Sequence, residues 1–91
     1  MFRQVAILGT GLMGGSLAAA LRARLPGVRL VGFGREPDIS RAMELGLFDV
    51  RADSVADALA GADLVVLAAP ISVNCALVPE VAANLPPDAV L

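Results

Sequence analysis

Apolar positions along this chain recur in two periods that take turns. Short continuous runs read as buried strands, and runs with apolar residues three and four apart read as helices. Arg3 to Leu8 predicts the first strand, and Leu12 to Arg24 the first helix, with Met13, Leu17, Ala20 and Leu21 on its core face. Gly11, Gly15 and Ala18 give that helix a small-residue face for close approach to a sheet. Leu25-Pro26-Gly27 stops it, and Val28 to Phe33 predicts the second strand. A helix beginning at Pro37, with Asp38 in its first turn, turns Ile39, Ala42, Met43 and Gly46 to one side. Leu47 to Val50 reads as a short third strand.

Ser54 to Asp57 resembles a capping box with Asp in place of Glu, which starts a helix over Val55 to Ala60 with Val55, Ala58 and Leu59 inward. Asp63 to Ala68 carries the run L-V-V-L of a buried parallel strand. Ser72 to Leu85 predicts a fourth helix, with Val73, Ala76, Leu77 and Val81 inward, that Pro79 kinks or splits. Asp88 to Leu91 starts a fifth strand. Strict strand–helix alternation implies right-handed crossovers and an α/β fold, a doubly wound parallel sheet in three layers (αβα) with strand order 3-2-1-4-5. In such a sheet the ligand crevice opens above the carboxyl ends of strands one and four.

Length and charge narrow the possibilities. Ninety-one residues suffice for one domain. A net charge of −2 gives no sign of nucleic-acid or membrane-surface binding. One cysteine, Cys75, excludes an internal disulfide framework and fits a reducing cytoplasm. It has no basic neighbour in sequence, so it reads as packing rather than as a nucleophile. The absence of histidine removes the commonest general base and metal ligand. Asp49, Asp53, Asp57 and Asp63 lack the spacing of a metal site. The final strand looks cut short, so the expectation is part of a longer protein.

The first crossover carries the candidate chemistry. Val5 to Gly15 reads V-A-I-L-G-T-G-L-M-G-G, a G-x-G-x-x-G pattern directly after a strand and directly before a helix. Gly9 allows a sharp turn, Gly11 allows backbone to approach a pyrophosphate, and Gly14 brings helix close to strand. The unpaired N–H groups of the helix start then face the anion. Thr10 either hydrogen-bonds a phosphate or tolerates the turn. A membrane-helix reading of Val5 to Leu21, with Gly11 and Gly15 at dimer spacing, fails because glycines interrupt the run and α/β alternation follows. At the end of strand two, where an NAD-selective protein carries a carboxylate, stand Gly34 and Arg35. The sequence thus predicts NADP as the cofactor, with NAD tolerated, and leaves Glu36 as a carboxylate able to swing onto the ribose. Ala69, Pro70 and Ile71 follow strand four, where small residues let backbone pass under a nicotinamide ribose. Ser72 and Asn74 are near enough to reach the crevice but suit a helix start.

Four segments together resemble the amino-terminal half of prephenate/arogenate dehydrogenases: G-T-G-L-M-G-G-S at 9–16, V-G-F-G-R-E at 31–36, A-M-E-L-G-L-F-D at 42–49 and D-L-V-V-L-A-A-P-I at 63–71. The resemblance implies a dinucleotide domain followed by a helical dimerisation domain. The implied activity is oxidative decarboxylation of prephenate or arogenate in tyrosine biosynthesis, with hydride passing to NADP+ or NAD+. It also implies a homodimer paired through the second domain. Cofactor contacts carry over to Gly9, Thr10, Gly11, Leu12, Met13 and Gly14 at the pyrophosphate, Gly34 and Arg35 at the adenosine ribose, and Ala69, Pro70 and Ile71 on the nicotinamide side. The family's catalytic histidine has no counterpart here, so no catalytic residue is assigned, and residues 1–91 alone are expected to turn nothing over. Two alternatives stay open: another NADP reductase of pyrroline-carboxylate reductase or 3-hydroxyacid dehydrogenase type, and a non-catalytic NAD(P)-sensing module.

Overall fold

A computed structural model describes residues 2–91. The elements run in order as β1 (Gln4–Leu8), α1 (Leu12–Arg24), β2 (Arg29–Phe33), α2 (Asp38–Glu44), β3 (Val50–Arg51), α3 (Val55–Leu59), β4 (Leu64–Leu67) and α4 (Ile71–Asn84). The sheet is parallel throughout, in the order β3-β2-β1-β4. It is the Rossmann-like doubly wound arrangement expected from the sequence. The fifth strand is represented by a single parallel bridge of Val90 to Leu64 beyond β4, so it stands where the order 3-2-1-4-5 requires.

Side-chain alternation along β1 builds two cores. Val5 and Ile7 face Ala18, Leu30, Ile39, Ala42 and Phe48, the core beneath α1 and α2. Ala6 and Leu8 face Val31, Val55, Ala58, Leu59, Val65 and Val81, the core beneath α3 and α4. A central strand buried on both faces explains why its sequence is continuously apolar.

The helix faces depart from expectation in places. In α1, Gly14 and Ala18 are the buried residues, Leu17 and Leu21 pack beside them, and Ala20 is exposed. Met13 is 74% exposed, because contact of Gly14 with the Gly9 carbonyl sets the helix rotation and carries Met13 to the rim. In α4, Val81 is buried and Ala76 exposed. Pro79 does not split this helix: Cys75 and Pro79 are both exposed, so the lost helical bond falls on the side open to water.

Two carboxylates decide where strands begin. Asp49 Oδ2 accepts the Leu30 N–H at 2.8 Å, and Arg22 Nη1 donates to Asp49 Oδ1 at 3.2 Å. The side chain thereby takes a ladder donor and the Leu47 N–H is committed to the Ala42 carbonyl of α2 at 3.1 Å, so β3 begins at Val50 rather than Leu47. The Leu30 N–H foremost, then Arg22, hold the Asp49 carboxyl below the usual carboxylate range. Asp63 Oδ2 accepts Arg3 N–H at 2.7 Å and Gln4 N–H at 2.9 Å, which staples the starts of β1 and β4. These two bonds, Arg3 first, depress its pKa.

A depressed folded-state pKa means that the unfolded chain binds the proton first as pH falls. The contribution of Asp63 is therefore complete above the unfolded carboxylate pKa and disappears as pH drops through the folded value. Asp63→Asn is expected to lower the melting temperature at neutral pH, with the deficit closing in acid. A deficit that stays constant into acid would contradict the staple.

Candidate functional site

The carboxyl ends of β1, β2 and β4 open onto a cavity of about 610 Å³. Gly9, Thr10, Gly11, Leu12 and Met13 form one wall, Phe33, Gly34, Arg35 and Asp38 a second, and Ala68, Ala69, Pro70, Val73 and Leu77 the third. The cavity lies where the strand order reverses, which is where ligands bind in open α/β sheets.

The first wall is bare backbone for a steric reason. Gly9 has φ +107°, and a Cβ there would stand 2.5 Å from the Ala69 nitrogen. A Cβ on Gly14 would strike the Gly9 carbonyl oxygen and come within 2.9 Å of its carbon. These two absences let β1, α1 and the turn after β4 meet at one corner. No side chain caps α1, and its first turn holds no acidic residue. The helix start therefore presents unpaired N–H donors and partial positive charge to the cavity, the arrangement that receives phosphate groups.

The third wall is positioned by Asn74, a role that sequence reasoning missed. Its Oδ1 accepts the Ala69 N–H at 3.1 Å, and its Nδ2 donates to the Leu67 carbonyl at 3.5 Å. Asn74 thus clasps the turn from β4 into α4 rather than reaching into the crevice. The signal was a polar side chain near the start of a helix, which reads equally as a cap. Ile71 begins α4, is 83% exposed, and stands outside the cavity wall. Leu12 and Met13 border the cavity with exposed side chains.

The second wall carries the charge. Arg35 is exposed and, among the described residues, forms no ion pair. Glu36 is occupied elsewhere. Ser40 Oγ donates to its Oε1 at 2.7 Å, the Ser40 N–H donates at 3.1 Å, and Arg51 Nη1 lies 3.7 Å away. The Ser40 hydroxyl above all holds the Glu36 carboxyl below its usual range. Glu36 thus turns to Ser40 and Arg51 and does not line the cavity. Asp38, read from the sequence only as a helix-start charge, lines the cavity instead. Thr10 is 6% exposed, and its Oγ1 has no hydrogen-bond partner. Among the described residues no cluster of His, Cys, Asp or Glu is arranged for a metal ion. No described helix is long and apolar enough to cross a membrane.

Comparisons with known proteins agree with the geometry. Residues 4–91 match the family model described as NADP oxidoreductase coenzyme F420-dependent. Prephenate dehydrogenase of Bacillus subtilis is 35% identical over 83 residues, spanning 86% of this chain and 21% of that protein. Cyclohexadienyl dehydrogenase of Zymomonas mobilis is 38% identical over 72 residues, 78% of this chain and 25% of that protein. The crystal structure of Synechocystis arogenate dehydrogenase superposes with a TM-score of 0.83 at 30% identity, over 96% of this chain and 31% of that one. The chain thus spans about a fifth to a quarter of the curated relatives' length. The resemblance drawn from the four sequence segments is borne out by these names.

The corner makes a stability contrast measurable. Gly9→Ala combines a left-handed backbone with a backbone collision and is expected to cost more than about 2 kcal/mol. Gly27 has open space around it, and Gly27→Ala is expected to stay within about 0.5 kcal/mol of the parent. Denaturant unfolding measures both, and equal effects would contradict the corner's role.

Proposed function

The chain belongs to the family described as NADP oxidoreductase coenzyme F420-dependent, and we propose that it is the cofactor-holding part of a prephenate or arogenate dehydrogenase that uses NADP+ and tolerates NAD+. The observation that carries this reading is the side-chain-free corner of β1 and α1, opening onto a cavity in which Arg35 is the only cation among the described residues. A diphosphate bridge fits the amide groups at Gly11, Leu12 and Met13, with Gly9 and Gly14 shaping the corner and Thr10 backing it. Gly34 leaves the end of β2 without a carboxylate, and Arg35 supplies a guanidinium to pair with a 2′-phosphate. Ala69, whose N–H Asn74 holds, and Pro70 lie under the nicotinamide side, and Ile71 stands outside the cavity wall.

When bound, the nicotinamide accepts hydride. The proposed reaction of the whole protein transfers that hydride from the substrate's cyclohexadienol ring, releases carbon dioxide and leaves the ring aromatic. The one carboxylate in the cavity lining, Asp38, stands on the Arg35 wall rather than beside Ala69 and Pro70, and residues 1–91 hold no histidine. We assign the general-base role to a domain outside residues 1–91, which also supplies the cover that excludes water and the contact for a homodimer. A cytoplasmic location accords with this biosynthetic role.

Full-length protein is expected to reduce NADP+ in the presence of prephenate or arogenate, followed by absorbance. Dinucleotide binding without turnover of either would replace this reading with a sensing module. Turnover confined to pyrroline carboxylates or 3-hydroxyacids would replace it with a different reductase. In the same protein Arg35→Ala is expected to weaken NADP+ binding about tenfold and to leave NAD+ binding nearly unchanged. Equal losses for both, measured by calorimetry, would remove Arg35 from the ribose site.

A further inference from the structure

Position 34 is crowded by Thr10, and that favours a recognition role elsewhere. A Cβ on Gly34 would strike Thr10 Oγ1 and lie 3.2 Å from both the Thr10 nitrogen and its Cγ2. Thr10 is itself buried in the corner, so it has little room to withdraw. A ribose-reading carboxylate at the end of β2 would therefore have to displace the Thr10 side chain and press on the Thr10 nitrogen.

The cavity nevertheless contains a carboxylate. Asp38 lines it, and Asp38 Oδ2 is the nearest atom to the place a Gly11 Cβ would take, at 3.7 Å. Asp38 forms no ion pair among the described residues, whereas Glu36 is held by Ser40 and Arg51. Asp38 and Arg35 thus present opposite charges to one end of the cavity. A carboxylate accepts hydrogen bonds from the vicinal hydroxyls of a ribose and repels a phosphate ester at the same place.

We propose that Asp38 is the specificity-determining carboxylate for the adenosine ribose, replacing the side chain that Thr10 disfavours at position 34, and that its opposition to Arg35 keeps discrimination between NADP+ and NAD+ shallow. This rests on the dinucleotide reading of the cavity. The anion-attracting guanidinium and the hydroxyl-accepting carboxylate act on different forms of the same ribose, so each limits the selectivity of the other.

The test uses full-length protein, with dissociation constants for NADP+ and NAD+ measured by calorimetry at one ionic strength. Asp38→Asn is expected to move the ratio about tenfold or more toward NADP+, by tightening NADP+ and weakening NAD+. Asp38→Ser should shift it the same way. An unchanged ratio in both variants, with or without a loss of thermal stability, would overturn the proposal and reduce Asp38 to a helix-start charge. Gly34→Asp supplies an independent arm: it is expected to weaken both dinucleotides, and a clean gain of NAD+ selectivity would show that position 34 is open after all. A measurement without substitution uses the side-chain carboxyl resonance of Asp38 in the parent protein. NAD+ should perturb it, and silence there while NAD+ binds would overturn the proposal. Failure of the parent to bind either dinucleotide would instead remove the cavity's reading as a whole.

Discussion

The contact between Gly14 and the Gly9 carbonyl is the constraint on which the rest of the molecule depends. It allows α1 to start against the end of β1 with no side chain between them. The same contact sets which residues of α1 meet the sheet, which is why Gly14 and Ala18 are buried and Met13 is not. It also leaves the first amides of α1 without protein acceptors at the reversal point of the sheet. Packing and binding therefore make the same demand on this corner: the glycines that bring helix and strand together also clear a path for phosphate oxygens.

Charge at the neighbouring edge is arranged by local hydrogen bonding. The Ser40 hydroxyl and Arg51 hold Glu36 apart from the cavity, and Asp49 and Asp63 cap the strand starts. Arg35 and Asp38 are the charged residues left lining the cavity. Selectivity at such a site is a difference between two affinities, so removing a carboxylate from one position does not settle it while another stands nearby.

Much of this was legible in the residues. The strand–helix alternation, the parallel order and the position of the glycine corner follow from periodicity and turn chemistry, and the structure has them. Element ends were harder to read. The third strand begins at Val50 because α2 holds the Leu47 N–H and the Asp49 side chain captures the Leu30 N–H, the latter a contact between residues far apart in sequence. Pro79 lies within a continuous helix because the missing bond faces water, and exposure is not written in a local pattern. The roles of Asn74 and Asp38 were hidden for a related reason. Both sit in first turns, where polar residues are ordinary caps, and only the fold decides what else they touch. The collision between Gly34 and Thr10 joins residues 24 positions apart, so the glycine read as a missing carboxylate is also a space filled by another chain segment.

The central claim is that the bare amides where α1 begins receive a diphosphate. Amide chemical-shift mapping tests it directly, by titrating NADP+ into isotope-labelled full-length protein. The account predicts that the largest perturbations fall on the N–H groups of Gly11, Leu12 and Met13, with Ala69 following and the opposite end of the sheet near Arg29 unmoved. Saturable binding that leaves those three amides undisturbed would contradict it.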